Sequence, residues 1–120
     1  MARIRVQNIT RGASLVTHGR VADTMWTRLK GLIGSPPLEP GEGLLIVPCQ
    51  SVHTHFMGFP IDVLYVDAAG QVVGLHRTLP PWRFGRFHRR ARFVIELPAG
   101  TVEATGTELG DRLSVAGYDL

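Results

Sequence analysis

Four side chains able to ligate a metal or act as nucleophile or base crowd into one short stretch: Cys49, His53, His55 and Met57 in CQSVHTHFM. On a straight strand alternate residues point to the same side, so all four would share one face. A thiolate, two imidazoles and a thioether suit copper, and the His-x-His pair alone could serve zinc. The complementary residues Val52, Thr54 and Phe56 make an acceptable core side, so the histidines read equally well as the polar side of a half-buried strand. Pro48 and Gly58 flank the stretch, and one β-bulge would reverse which side each residue faces. Cys49 four residues before His53 is not a local catalytic signature, because such pairs meet in space rather than in sequence. A lone cysteine beside an apolar strand reads as a small core residue.

The carboxylates offer a second chemistry. Asp62 lies inside the apolar run Ile61-Asp62-Val63-Leu64, and Glu96 lies on another strand-like segment. A buried acid needs an arginine, backbone N–H groups or the surface. If Asp62 and Glu96 met His53 or His55, they could form an acid/base pair of hydrolytic type. The plainer expectation is that Asp62 orders the Gly58-Phe59-Pro60 turn.

A third feature is PWRFGRFHRRAR, residues 81–92. Arginines interleaved with aromatics supply cations for phosphates and rings for stacking, as single-stranded nucleic-acid binding requires. The ordinary expectation is a solvated loop anchored on the core by Trp82 and Phe84, its arginines facing an acidic ligand or the chain's own carboxylates.

These groups must be held by short elements. Arg3 to Ile9 alternates polar with apolar, as a half-buried strand does, and Ser14–Val16 reads as a second strand. Residues 23–34 change period: Asp23 as N-cap, then Met25, Leu29, Leu32 and Ile33 at helical spacing, then Gly34 and two prolines. That predicts an amphipathic helix covering an open face or end of a sheet. Strands are expected over Gly43–Val47, Ile61–Val66, Gln71–Leu75, around Phe93–Leu97 and over Arg112–Ala116. Asp67 to Gly70 closes a hairpin, and one or two helical turns fit Ala99–Gly106.

Composition sets the frame. A chain of 120 residues with 14 Gly and 8 Pro is expected to be one domain, residues 1–120, built from many short elements. The net charge of +3 is uneven: Arg77, Arg83, Arg86, Arg89, Arg90 and Arg92 fall in a stretch from Ala68 to Ile95 that holds no acid. No apolar run approaches the roughly 20 residues of a membrane helix. The single cysteine excludes an internal disulfide, and MARIRVQNIT has no apolar signal core. A cytoplasmic protein without a membrane partner is expected.

The ordered blocks RLKGL, GLLI, SVHTHFMGFPIDVLYVD, GQVV, ELPAG and GDRL, spread over about residues 12–116, resemble domain of unknown function family 192. The positions of Met57 and Asp62 match that family's central motif, and His53 matches a His-Thr version of it. Only Gly58-Phe59 separates the methionine from Pro60, where the commoner form carries a longer Lys-Asn insertion. The resemblance implies a mainly β barrel or sandwich with an early helix and no established activity. The expected architecture is therefore a mainly β single domain with one or two short helices. The expected role is a non-catalytic binding or accessory domain for a small or anionic ligand, with no resident cofactor. Its candidate site comprises His53, His55, Asp62, Trp82, Arg90, Arg92 and Glu96. The alternatives are a copper- or zinc-binding or hydrolytic protein using Cys49, His53, His55 and Met57 or Asp62, and a single-stranded nucleic-acid binder using residues 82–92.

Overall fold

The computed structural model describes residues 3–120; Met1 and Ala2, the first two of the expected domain, lie outside the described residues. Seven strands form one curled sheet: β1 (Arg3–Asn8), β2 (Ala13–Ala22), β3 (Leu44–Ile46), β4 (Ile61–Val66), β5 (Val72–Leu79), β6 (Phe93–Pro98) and β7 (Leu113–Ala116). Their spatial order is β5-β4-β6-β3-β2-β1-β7. The pairing is antiparallel except for β2 with β3, whose connection carries helix α1 (Met25–Lys30). A single bridge between Gln71 and Arg112 joins the outermost strands, so the sheet curls almost into a barrel. Helix α2 (Thr101–Thr105) follows β6.

The closure is fixed by polar chemistry as well as by strand pairing. Asp111 accepts from the Asn8 amide at 2.9 Å and from Arg11 Nε at 2.9 Å, and Arg11 also reaches Glu108. The Arg11 guanidinium and these hydrogen bonds hold the Asp111 carboxyl down at about 2.

Two apolar cores lie on opposite faces of the sheet. Leu64, Val66, Phe93, Ile95 and Leu97 point inside the curl. Ile61, Val63, Tyr65 and Val94 point outward, where the loops covering β4 and β6 bury them with Val52, Met57 and Phe59. That double burial explains the unbroken apolar run of β4, in which every residue is buried.

Three expectations need correction. The predicted helix over 23–34 is only one and a half turns long, and its N-cap is Thr24 rather than Asp23. Thr24 and Thr27 form a reciprocal capping box, and Gly31 at φ +49° ends the helix. None of its residues is buried, so it does not cover the sheet; Leu32, just beyond it, does. The short strand Ser14–Val16 is part of the ten-residue β2. Finally, residues 49–57 are not a regular strand. They run beside 82–88 as an irregular antiparallel ribbon, through Thr54 N–H to Arg83 O, Gly85 N–H to Val52 O and His88 N–H to Gln50 O.

Candidate functional site

The ribbon changes which of the sequence-predicted groups meet. Thr54 is fully buried because its hydroxyl donates to Pro80 O at 2.6 Å and accepts from Arg83 N–H at 2.9 Å. Phe56 adopts φ +64° and turns outward, while Met57 turns into the outer core. The alternation that would put Cys49, His53, His55 and Met57 on one face is therefore broken. Among the described residues no three His, Cys, Asp or Glu side chains gather in a metal-ligating cluster.

His53 and His55 remain neighbours, with ring centroids 5.5 Å apart, but they serve different surroundings. His53 lines a cavity under α1. His55 joins an outer aromatic group, 4.6 Å from Phe84 and 5.6 Å from Trp82. Trp82 and Phe84 do not anchor the loop on the core; they are 53% and 79% exposed. Gly85 and Ala91 make the close approaches instead. Arg90 is exposed. Arg92 is exposed and borders a shallow recess with Cys49, Ser51 and Phe87.

Asp62 is withdrawn from ligand chemistry. Its carboxylate accepts from three backbone amides, Thr78 at 2.8 Å, Gly100 at 3.1 Å and Val102 at 2.8 Å. It therefore ties the end of β5 to the start of α2, and does not order the Gly58–Pro60 turn. These bonds also hold Thr78 in its left-handed conformation, φ +52°.

Glu96 is the opposite case. It is 3% exposed and its Oε1 has no hydrogen-bond partner. Burial pushes its pKa up to about 8, so the carboxyl is protonated at neutral pH. It floors a cavity of about 90 Å³ bordered by Arg28, Cys49, Ser51, His53 and Met57. Arg28 Nε is also buried without a partner, although its NH1 donates to Pro48 O at 3.2 Å. The third buried side-chain polar atom without a partner among the described residues is the Tyr65 hydroxyl, on the same outer face of the sheet. Burial, with the nearby Cys49 and Glu96, pushes that phenol up to about 12. The Cys49 thiol donates to Ser51 O at 3.0 Å, and burial raises its pKa, which keeps it a thiol rather than a nucleophilic thiolate.

Unsatisfied buried polar atoms are rare, and each one costs stability unless something binds it. Here two of them, Arg28 Nε and Glu96 Oε1, border one cavity, while Tyr65 lines a separate cleft with Gly74, Arg86 and His88. The site is therefore a cluster of hydrogen-bond donors: a guanidinium, a protonated carboxylic acid and a thiol. Sequence reasoning reached His53, Cys49, Met57 and Glu96 but missed Arg28, and it missed the unpartnered Tyr65 of the neighbouring cleft. Tyr65 carried one signal, a phenol inside an otherwise apolar strand buried on both faces, where a hydroxyl needs a partner.

Fold and site together define a small curled β-sheet domain with a donor-lined cavity on its outer face. The chain belongs to domain of unknown function family 192, described as an uncharacterised ACR, whose profile matches residues 6–115. It is 35% identical over 111 residues to a UPF0127 protein of Pyrococcus furiosus, covering 88% of this chain and 93% of the relative. A Thermococcus sibiricus UPF0127 protein is 32% identical, with 88% and 71% covered. Among solved structures, a Sinorhizobium meliloti protein described as a candidate transcription regulator superposes with a TM-score of 0.82 at 25% identity, over 98% of this chain and 95% of that one. A Novosphingobium aromaticivorans protein of unknown function gives 0.80 at 19% identity, over 93% and 83%, which shows the fold alone. No helix among the described residues is long and apolar enough to cross a membrane.

Proposed function

We propose that the protein is a non-catalytic binding domain for a small carboxylate or carbonyl compound, held in the cavity under α1. The carrying observation is the buried Glu96 carboxyl with an unpartnered oxygen, beside the equally unpartnered Arg28 Nε. A ligand oxygen accepts from Arg28 and from the Glu96 hydroxyl. About 90 Å³ holds roughly three water-sized groups, which sets the ligand's size at that of acetate or acetamide. The raised thiol of Cys49 argues against covalent catalysis, and the dispersal of the four soft donors argues against a metal centre.

The test is thermal denaturation and calorimetry with formate, acetate and acetamide. Binding is expected to survive Glu96→Gln, which keeps a donor and an acceptor. It is expected to vanish in Glu96→Leu, while the melting temperature of that variant rises because an unpaired polar group has been removed. Equal binding by Glu96→Leu would sink the proposal. So would a fall in its melting temperature, which would show that the carboxyl is structurally satisfied.

A further inference from the structure

We infer that the face carrying α1 and the tips of the ribbon docks onto an anionic lipid surface. In α1 the side chains of Met25, Trp26 and Leu29 are 80%, 71% and 64% exposed, so this helix turns its apolar residues to solvent. On the ribbon Phe56, Trp82, Phe84 and Phe87 are all more than half exposed, and His55, which packs on Trp82 and Phe84, stands 5.5 Å from the cavity-lining His53. The two groups belong to one face: Leu29 and Arg28 share the cavity rim with His53, and Arg28 shares the adjoining recess with Phe87.

Backbone strain confines the display to this place. Among the described residues Phe56 and Trp82 are two of the three non-glycine residues with positive φ, at +64° and +62°, and their rings lie 4.6 Å apart. A bulky residue in that conformation costs energy, and such strain is retained where a side chain must be aimed. Asp62 explains the third, Thr78; at Trp82 the N–H donates to Thr54 O at 2.9 Å, so the ribbon's own hydrogen bonding holds the turn that aims the ring outward.

Charge selects the occupant. Arg83, Arg86, Arg89 and Arg90 are exposed within the same ribbon and the turn that follows it. Among the described residues the ion pairs are those of Arg11 with Glu108 and Asp111, so the ribbon arginines stay available. Aromatic and aliphatic side chains that insert at the headgroup level, with exposed arginines interleaved among the aromatics of the ribbon, match an anionic membrane interface. Single-stranded nucleic acid would use the arginines and rings, but it has no use for the aliphatic Met25 and Leu29. The absence of a spanning helix, which underlay the sequence expectation of no membrane partner, does not bear on a surface contact.

The two tryptophans of the chain, Trp26 on α1 and Trp82 on the ribbon, are both exposed, so tryptophan fluorescence reports on these two elements. The experiment is co-sedimentation and fluorescence titration of the full chain with phosphatidylcholine vesicles, with and without phosphatidylglycerol. Oligothymidylate is titrated separately. Binding to the anionic vesicles is expected, with a blue-shifted emission quenched by lipids carrying a quencher in the acyl chain. The Arg83→Glu/Arg86→Glu protein is expected to bind about tenfold more weakly or worse, and Phe84→Ser to bind with less quenching. Because these side chains are exposed, unchanged circular dichroism and melting temperature verify the fold of both variants. Glu96→Leu, which empties the cavity of its key group, is expected to bind vesicles normally, which separates this inference from the ligand proposal. It is overturned by failure to bind anionic vesicles, by full binding in the arginine variant, or by binding of oligothymidylate without vesicles.

Discussion

Asp62 and Glu96 lie on paired strands of one sheet, where Val63 stands opposite Glu96 and Asp62 opposite Leu97. Both are almost wholly buried, yet they face opposite sides and have opposite surroundings. Asp62 receives three backbone N–H groups. Glu96 keeps an unpartnered oxygen and is held protonated by desolvation. A buried carboxylate that the backbone fully solvates is part of the scaffold. One that the fold leaves unsolvated destabilises it and calls for a partner from outside. Identical chemistry and near-identical burial thus give two roles, separated only by what the oxygens touch.

The sharpest way to break this contrast is to remove the Asp62 carboxylate. Asp62→Ala leaves three backbone amides without their acceptor, so a loss of about 3 kcal/mol or more is expected in denaturant unfolding. Asp62→Asn retains one acceptor oxygen and is expected to lose less. A cost below about 1 kcal/mol for the alanine variant would mean that water satisfies those amides, and the scaffold role would fall.

Protonation distinguishes the second acid. The folded pKa of Glu96 is raised to about 8 from an ordinary 4.5, so across that interval the folded state binds the proton and the unfolded state releases it. Unfolding free energy therefore falls as pH rises through this window, by several kcal/mol in order of magnitude, and levels off above it. Equilibrium unfolding between pH 5 and 9 checks this, and Glu96→Gln is expected to flatten the dependence. The same proton governs the proposed ligand: above about pH 8 the ionised Glu96 repels a carboxylate, so acetate binding weakens there while acetamide binding is less affected. Asp111, with its pKa held at about 2, acts at the other extreme. Its stabilisation is present above its ordinary range and is lost only as pH falls toward 2, outside the Glu96 window.

Much of the frame was legible in the sequence because it rests on local periodicity. Ile61–Val66 matches β4 residue for residue, and the Asp67–Gly70 turn and the first half of β5 follow from turn chemistry that acts within a few residues; β5 itself runs on to Leu79, past the expected end at Leu75. Phe93, Ile95 and Leu97 share one face of β6, as their alternation predicts. The site was harder to read, because its pattern is tertiary. The face of Cys49, His53, His55 and Met57 depended on a straight strand, and the ribbon's hydrogen bonds to 82–88 replace that strand with a twist at Phe56. Glu96 was visible as an acid, but its burial depends on the loop over residues 48–57, which no local rule places. The amphipathic period of residues 23–34 was real, yet Met25 and Leu29 face outward; an apolar stripe shows that a surface wants cover, not that the same chain supplies it.

The finest test of the contrast lies at Gly85, whose missing side chain leaves space for Tyr65. A Cβ there would fall 2.5 Å from the Tyr65 hydroxyl and 3.0 Å from Val52 Cγ2. The tyrosine ring cannot swing freely, since His88 packs on it at a centroid distance of 4.1 Å. Gly85→Ala is therefore expected to cost about 1 kcal/mol through overpacking. Tyr65→Phe removes the atom that would clash and also removes one unpartnered polar group, so alone it is expected to be neutral or slightly stabilising. The two changes should then couple: Tyr65→Phe rescues the stability of Gly85→Ala. Equilibrium unfolding of the four proteins of this cycle measures the coupling. If Tyr65→Phe alone costs stability, the hydroxyl already has a partner inside the fold and belongs with Asp62 rather than with Glu96.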